Sequence, residues 1–327
     1  MWDGNVEVLK SPIGSDEFCT TYCDTKIKKH TDVCLFLSEL EDAHVAHYLL
    51  THSVNNGRLT YMARTTPLRH CENALQMFDR AVIEAAGVSV KQHWSDAQSE
   101  QATFAPKDGG LGFRKAAAIA DAAYVASRSA TQALCAGIRD QHCTDLEDLL
   151  DPVGQASERL VQHGVTMPES AASKPIRQQQ LSQKLYTKAI NSWDEHVTPD
   201  DRVRRKAHSA KGAGKLYSVT PSKTLDTKFA STQFAINVAC RLGVDVMEGG
   251  HACPKCGIMM DCKGIHPQSC MSGGGTRQPS TMASETYSLT TVPVPASIPR
   301  TKPPDCFETP TDGAPASDLP MSWCCRI

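Results

Sequence analysis

Residues 251–275 read HACPKCGIMMDCKGIHPQSCMSGGG, a short stretch that contains four cysteines. Two residues separate Cys253 from Cys256, His266 follows after nine more, and Cys270 after another three. Three sulfurs and one imidazole form a ligand set that Zn²⁺ accepts in tetrahedral geometry. The spacing therefore predicts a structural zinc site, and a loop of reduced cysteines is the alternative.

Two further features of the stretch concern how the ligands are presented. Gly257 and Gly264 stand where the chain must reverse around a metal, and glycine adopts positive φ at little cost. Cys262 is a fifth candidate for four positions. Spacing alone therefore leaves the ligand set open.

The pattern of apolar residues elsewhere in the chain predicts helices. Leu75, Phe78, Val82 and Ala86, for example, follow one another at spacings of three and four, the period of a helix with one buried face. A single short strand is predicted over residues 5–14. The predicted fold class is mainly α, with a helical bundle body, a small zinc knuckle and a disordered C-terminal tail.

Changes in composition along the 327 residues predict five segments. Residues 279–327 hold nine of the nineteen prolines and show no apolar periodicity, which is typical of disorder. The segments are a short strand at 1–15, a helical body at 16–195, a basic connector at 196–228, a helix with the zinc knuckle at 229–275, and a disordered tail rich in Pro, Ser and Thr at 276–327.

The first residues, the apolar runs and the cysteines of the chain indicate where the protein is expected to be located. The first residues show no basic segment followed by a long apolar one, so no secretory signal is predicted. No run of 18 apolar residues occurs, so no membrane partner is expected. The best-spaced of the fourteen cysteines are predicted to be metal ligands, which fits a reducing compartment. An intracellular location, nuclear or cytoplasmic, is expected.

A strongly basic segment precedes the cysteines. Residues 201–228 carry eight Lys and Arg against two Asp, a formal charge of +6 in a chain whose total is −2. Such a run predicts contact with the phosphates of RNA or single-stranded DNA, and Tyr217 is predicted to stack on an unpaired base. The alternatives are a nuclear-import signal at RVRRK and a solvated protein face. The candidate nucleic-acid contacts are Arg202, Arg204, Arg205, Lys206, Lys211, Lys215 and Tyr217.

Other motifs favour structural roles. The glycine-rich run at 109–112 is predicted to be a plain turn rather than a phosphate cradle, because no Gly-Lys-Ser/Thr accompanies it. His44 and His47 are predicted to lie on a partly exposed helix surface. Cys19 and Cys23, one helical turn apart, are predicted to be small core residues.

Four stretches, in this order, resemble one family of proteins. They are VLKSPIGSDEF (8–18), LTYMARTTPL (59–68) with the helix and Phe78-Asp79 that follow, DGGLGFRKAAAIADAAYVAS (108–127), and the series SAKGAGKLYSVTPS, RLGV, CPKCG, His and Cys (209–270). Together they resemble the region that follows the polymerase core in LINE-type, non-LTR retrotransposon reverse transcriptases. The resemblance covers about residues 7–275.

The resemblance has implications for fold and function. It implies that residues 1–15 are a palm remnant and that the helical body is thumb-like. It places the zinc ligands at Cys253, Cys256, His266 and Cys270, with Cys262 outside. The family's catalytic aspartates, one pair in a Tyr-x-Asp-Asp turn, hold Mg²⁺, and this sequence contains no such motif. The implied protein is a nucleic-acid-binding fragment that lacks the polymerase and endonuclease active sites and is not itself an enzyme.

Two alternatives belong to other functional classes. In the first, the chain is an accessory part of an active reverse transcriptase and endonuclease, completed by a polymerase-bearing chain or a longer product. In the second, it is a helical scaffold for protein interactions. An upstream Tyr-x-Asp-Asp motif in frame would favour the first, and a lack of nucleic-acid binding would favour the second.

Overall fold

The structure is a computed structural model that describes residues 4–54, 57, 59–142, 152–167, 175–248, 250–266 and 270. The predicted disordered tail at 276–327 lies outside these residues. Helices dominate the described part of the chain, which confirms the predicted mainly α class. In chain order the helices are α1 Asp16–Ser38, α2 Ala43–Leu49, α3 Thr60–Thr65, α4 Glu72–Ser89, α5 Asp96–Thr103, α6 Ala116–His142, α7 Pro152–Gln162, α8 Gln178–His196, α9 Pro199–His208 and α10 Ser231–Leu242.

A short β-hairpin precedes α1. Strands β1 (Val6–Val8) and β2 (Ser11–Ile13) pair in antiparallel register. Leu9 and Lys10 form the turn between them with positive φ angles of 49° and 64°. The prediction of one strand over residues 5–14 is therefore wrong, because the chain reverses in the middle of that segment.

Local signals set the beginnings of several helices. The Ser15 hydroxyl accepts a hydrogen bond from the Phe18 amide at 3.3 Å and so caps α1. The first amides of α6 are capped from another helix, because the Asp79 carboxylate accepts the N–H groups of Ala116 and Ala117 at 2.7 and 3.0 Å. Burial raises the pKa of Asp79 to about 6, although these two hydrogen bonds act in the opposite direction.

The main core joins helices from both ends of the described chain. α1 packs against α4, and α3 packs against α6. Phe234, Val238 and Leu242 of α10 belong to the same core, so it includes residues on both sides of the boundary predicted at 195. A smaller core links α6, α7 and α8. Its buried members are Ala122, Tyr124, Val125, Ala156, Leu160, Val165 and Leu181.

Buried side chains of α1 and α2 test two of the structural predictions. Cys19 and Cys23 are buried, as predicted for small core residues. His44 and His47 are also buried, so their predicted exposure is wrong. The His47 ring lies 5.0 Å from that of Phe113, measured between centroids, and burial lowers the pKa of His47 to about 3. These histidines are neutral core side chains.

The glycine-rich run at 109–112 forms a tight turn that is pressed into the body. Gly109 has a φ of 89°, and a Cβ on it would lie 2.6 Å from the carbonyl oxygen of Arg205. A Cβ on Gly110 would overlap the carbonyl oxygens of Gln101 and Phe104. Close packing accounts for the glycines, which agrees with the prediction of a structural turn.

Arg241 of α10 holds this turn in place. Its side chain is only 1% exposed. Its guanidinium donates hydrogen bonds to the carbonyl oxygens of Gly110 at 2.8 Å, of Ala213 at 3.2 Å and of Pro106. No carboxylate of the described residues forms an ion pair with it. Arg241 therefore ties α10 to the glycine-rich turn and to the chain at residue 213 through backbone acceptors.

The basic segment does not begin as an irregular connector. α9 runs from Pro199 to His208, with Thr198 as its capping residue and proline in its first turn. Asp200 and Asp201 occupy that first turn. Carboxylates are stabilised at the positive end of a helix, which explains the position. None of the described helices combines the length and apolar character that a membrane span requires.

Candidate metal centre and nucleic-acid interface

The residues around the first two predicted ligands form a narrow hairpin. Ala252 bridges to Met259, and the Cys253 amide donates to the carbonyl oxygen of Ile258 at 2.8 Å. Gly257 closes the turn between them with a φ of 75°. The hairpin thus brings the sulfurs of Cys253 and Cys256 to one side of a single turn, as their spacing predicts.

Four side chains of this region converge. The ligand atoms of Cys253, Cys256, His266 and Cys270 all lie within 4.8 Å of one another. The Sγ atoms of Cys253 and Cys270 are 3.8 Å apart, and Cys256 Sγ lies 3.2 Å from His266 Nε2. Zinc–ligand bonds of about 2.3 Å to sulfur and 2.0–2.1 Å to nitrogen give tetrahedral edges of about 3.8 and 3.6 Å. The four residues could therefore hold one metal ion, and Cys262 is not part of this group.

The charges on the sulfurs favour a bound cation. Hydrogen bonds from the backbone amides of Lys255 and Cys256 lower the pKa of Cys253 to about 6. The amide of Ile258 acts in the same direction on Cys256, but burial and the neighbouring sulfurs outweigh it and raise the pKa of that thiol. Several thiolates this close together repel one another unless a cation lies between them. This donor set fits Zn²⁺ on chemical grounds.

Asp261 orients the turn that carries His266. Its carboxylate accepts the Ile265 amide at 2.9 Å and the His266 amide at 2.7 Å. Burial alone would raise the pKa of Asp261, but these hydrogen bonds hold it below its usual value. The sequence does not reveal this role of Asp261, because the amides it accepts lie four and five residues later, beyond the two or three residues of a usual helix cap.

We expect Asp261→Ala to weaken metal binding by about 10- to 100-fold, the usual effect of losing a residue that orients a ligand. The reason is that His266 would have to be ordered without the two hydrogen bonds. Competition with a chromogenic chelator measures the affinity. Asp245→Ala removes an exposed carboxylate of the same region and is the matched control. Equal zinc affinities for the two variants would contradict the positioning role of Asp261.

A few polar contacts attach the metal loop to the helical body. The amide of Val246 donates to the carbonyl oxygen of Cys262 at 2.8 Å. The Lys263 ammonium lies 3.5 Å from the Asp201 carboxylate of α9. A cavity of about 70 Å³ lies beside this ion pair. The candidate metal centre is therefore next to α9, where the basic segment begins.

Two of the predicted nucleic-acid contacts are internal ion pairs. Arg205 is 6% exposed and donates two hydrogen bonds to the Asp194 carboxylate, at 2.9 and 2.6 Å, and one to the carbonyl oxygen of Asp108 at 3.1 Å. Arg204 pairs with Asp201 within α9 and donates to the Gln101 side-chain oxygen at 2.8 Å and to the carbonyl oxygen of Arg241 at 3.1 Å. Their assignment to phosphate contacts is corrected, because both guanidinium groups are already used in holding α9 to the body.

Tyr217 is the third corrected assignment. It is 5% exposed, and its ring centroid lies 5.9 Å from that of Phe234. The Arg241 guanidinium lies 4.6 Å from the ring centroid, and the Tyr217 hydroxyl donates to the carbonyl oxygen of Asn237 at 3.0 Å. A ring enclosed in this way cannot stack on a base, so Tyr217 is a core residue.

The other cations of the basic segment remain accessible. Lys228 forms an ion pair with Asp42. In the described part of the chain, the remaining five of the eight form no ion pair, and all of these except the half-buried Arg202 are exposed. These five are Arg202, Lys206, Lys211, Lys215 and Lys223.

In comparisons with protein-family models, with curated proteins and with solved structures, the chain gives no match.

Proposed function

We propose that the chain binds single-stranded nucleic acid through its exposed lysines, beside a loop that is ordered by one Zn²⁺. The observation that carries the proposal is the convergence of three cysteines and one histidine next to a helix with accessible cations. We propose further that the protein is a fragment related to LINE-type reverse transcriptases and lacks their polymerase and endonuclease active sites. The four colinear stretches that resemble that family support this origin.

The proposed metal has a structural role. A bound Zn²⁺ would neutralise the thiolates and fix the loop, which has few apolar contacts of its own. Ile258, Met259 and Ile265 are all more than half exposed. All four candidate positions are filled by protein side chains, as in closed structural sites, so no position remains for a reacting water. The role of the loop is therefore binding and positioning.

The accessible cations determine the form of nucleic-acid binding. A lysine ammonium acts as a point charge on phosphate and does not distinguish bases by paired hydrogen bonds. Each phosphate neutralised on a single strand contributes about −0.7 to the slope of log affinity against log salt concentration. The four exposed lysines of the basic segment, Lys206, Lys211, Lys215 and Lys223, would give a slope of about −2.8. Binding is expected to be sequence-tolerant and to weaken steeply with salt.

We expect the triple variant Lys206→Ala, Lys211→Ala, Lys215→Ala to bind single strands more weakly and to flatten the salt slope by about 2.1. Fluorescence anisotropy with a labelled 20-nucleotide oligo(dT) or oligo(U), titrated at several salt concentrations, measures both effects. The matched control replaces Lys28, Lys29 and Lys188, which are exposed helical lysines without an ion pair in the described structure.

The outcome of this experiment is decisive in both directions. Equal losses in the test and control variants would mean that only net charge matters and that the basic segment is no interface. An unmodified chain that binds neither RNA nor DNA would reject the proposed function outright. Arg204 and Arg205 are kept unchanged, because removing their ion pairs would disturb folding as well as binding.

A further inference from the structure

The surface near the glycine-rich turn gathers lysines from three separate segments of the chain. Lys107 lies in a 3-10 turn formed by Pro106–Asp108, which precedes the glycines. Lys206 lies on α9, and Lys211 and Lys215 lie in the chain that follows it. All four side chains are exposed. Sequence position does not group Lys107 with the other three lysines, since about a hundred residues separate them.

Backbone contacts show that these segments meet. The Arg205 guanidinium bonds to the carbonyl oxygen of Asp108 at 3.1 Å, and the Gly109 backbone lies directly against Arg205. On the other side, a Cβ on Gly214 would lie 2.6 Å from the carbonyl oxygen of Pro106. The 3-10 turn is therefore held between α9 and residues 213–214.

Each lysine is close in sequence to one of these contacts. Lys107 lies between Pro106 and Asp108, and Lys206 directly follows Arg205. Lys215 directly follows Gly214, and Lys211 precedes it by three residues. Adjacent Cα atoms are about 3.8 Å apart, and three of the four lysines are one residue away from a residue that makes one of these contacts.

The charge on this surface is predominantly positive. Asp194, which could oppose it, is already bonded to Arg205 through both carboxylate oxygens. Asp108 is the acidic residue within the turn itself, and its side chain is partly buried. None of the four lysines forms an ion pair within the described residues. The surface therefore carries four ammonium groups and one carboxylate, that of Asp108.

We infer that Lys107, Lys206, Lys211 and Lys215 form one phosphate-binding surface, the four-lysine patch, and that Lys107 is a nucleic-acid contact. The inference rests on the proposed function and extends it, because it brings the glycine-rich turn into the interface. The turn is fixed by Arg241 and Arg205, so its backbone needs little further ordering when a ligand binds. The patch recognises the phosphate backbone of a single strand and tolerates changes of base.

The test uses the full-length, zinc-loaded chain and compares Lys107→Ala with Lys28→Ala, an exposed lysine on α1. The probes are 20-nucleotide oligo(dT), oligo(dA) and oligo(U), titrated between 50 and 200 mM salt. We expect Lys107→Ala to reduce the steepness of the salt slope by about 0.7. Between 50 and 200 mM salt the variant should therefore lose about 2.6-fold less affinity than the unmodified chain loses. Lys28→Ala should leave the slope unchanged. Lys107→Gln, which has a longer and polar side chain than alanine but no charge, should reduce the slope by the same amount.

The possible results separate this inference from the proposed function. If Lys206→Ala flattens the slope but Lys107→Ala and Lys107→Gln do not, Lys107 lies outside the interface and the proposed function stands. If the unmodified chain binds none of the probes, both fail. If polyglutamate competes as well as the oligonucleotides at equal charge concentration, the surface is a general polyanion site and the assignment to nucleic acid is wrong.

Discussion

Removal of zinc from the full-length chain should unfold residues 251–270 and leave the helical body folded. The loop has few buried apolar groups, and its order depends on the four converging ligands. Structural zinc contributes about 10–16 kcal/mol of apparent binding free energy in small zinc-binding peptides, enough to order such a loop. The body has its own core, built from α1, α4, α6 and α10. Metal removal is therefore expected to act locally.

Metal analysis and hydrogen exchange measure this effect. The unmodified chain should contain one zinc ion, and a strong chelator should accelerate exchange of the amides at 251–266 without changing those of α4. Cys270→Ser should lose the metal, whereas Cys262→Ser, the matched control, should keep it. The reverse pattern would show that Cys262 is the fourth ligand. A chain purified without any zinc would show that the site does not bind it.

The second large effect is expected for Arg241→Met, which preserves much of the side-chain volume. It leaves the carbonyl oxygens of Pro106, Gly110 and Ala213 without this donor. The Gly110 acceptor is buried, whereas Ala213 is exposed and the Pro106 oxygen still accepts from the Gly109 amide. A buried polar group left unsatisfied costs about 1–3 kcal/mol. Relief of the buried charge offsets part of the loss of the three hydrogen bonds, so we expect a net loss of about 1–3 kcal/mol in the free energy of unfolding.

Thermal and urea unfolding should detect this loss easily. At about 2–4 °C for each kcal/mol in a body of this size, the midpoint should fall by roughly 6 °C. Arg80→Met removes an exposed arginine of α4 and should change the midpoint little. Arg241→Lys keeps the charge but cannot reach three separate carbonyl groups, so it should recover only a minor part of the lost stability. Unfolding of Arg241→Met at the wild-type midpoint would disprove the role assigned to this residue.

The sequence predicted those features of the fold that depend on neighbouring residues. The helical period and the glycines of the turns depend on residues a few positions apart, and these signals are local. The hairpin was missed because the residues of its turn, Leu9 and Lys10, rarely adopt positive φ. Non-glycine residues in this conformation give no signal in a single sequence.

The candidate site likewise has one part that the sequence predicts well and one part that it does not. The metal ligands were found because short, regular spacing is itself the signal, and the four predicted residues converge. The basic run was interpreted less well, because the fate of each cation depends on distant partners. Arg205 meets Asp194 of the preceding helix, and Tyr217 is enclosed against α10. A charge run in a sequence does not show which of its members a fold uses internally.

The hydrogen bonds of Arg241 also bear on how the chain is made. The donor and its acceptor at Gly110 are 131 residues apart. At a translation rate of about 5–20 residues per second, a ribosome needs roughly 7–26 s to add that length. During this time the glycine-rich turn lacks its anchor, and the places of Phe234 and Leu242 in the core stay unfilled. The body therefore cannot complete its core until α10 has emerged from the ribosome.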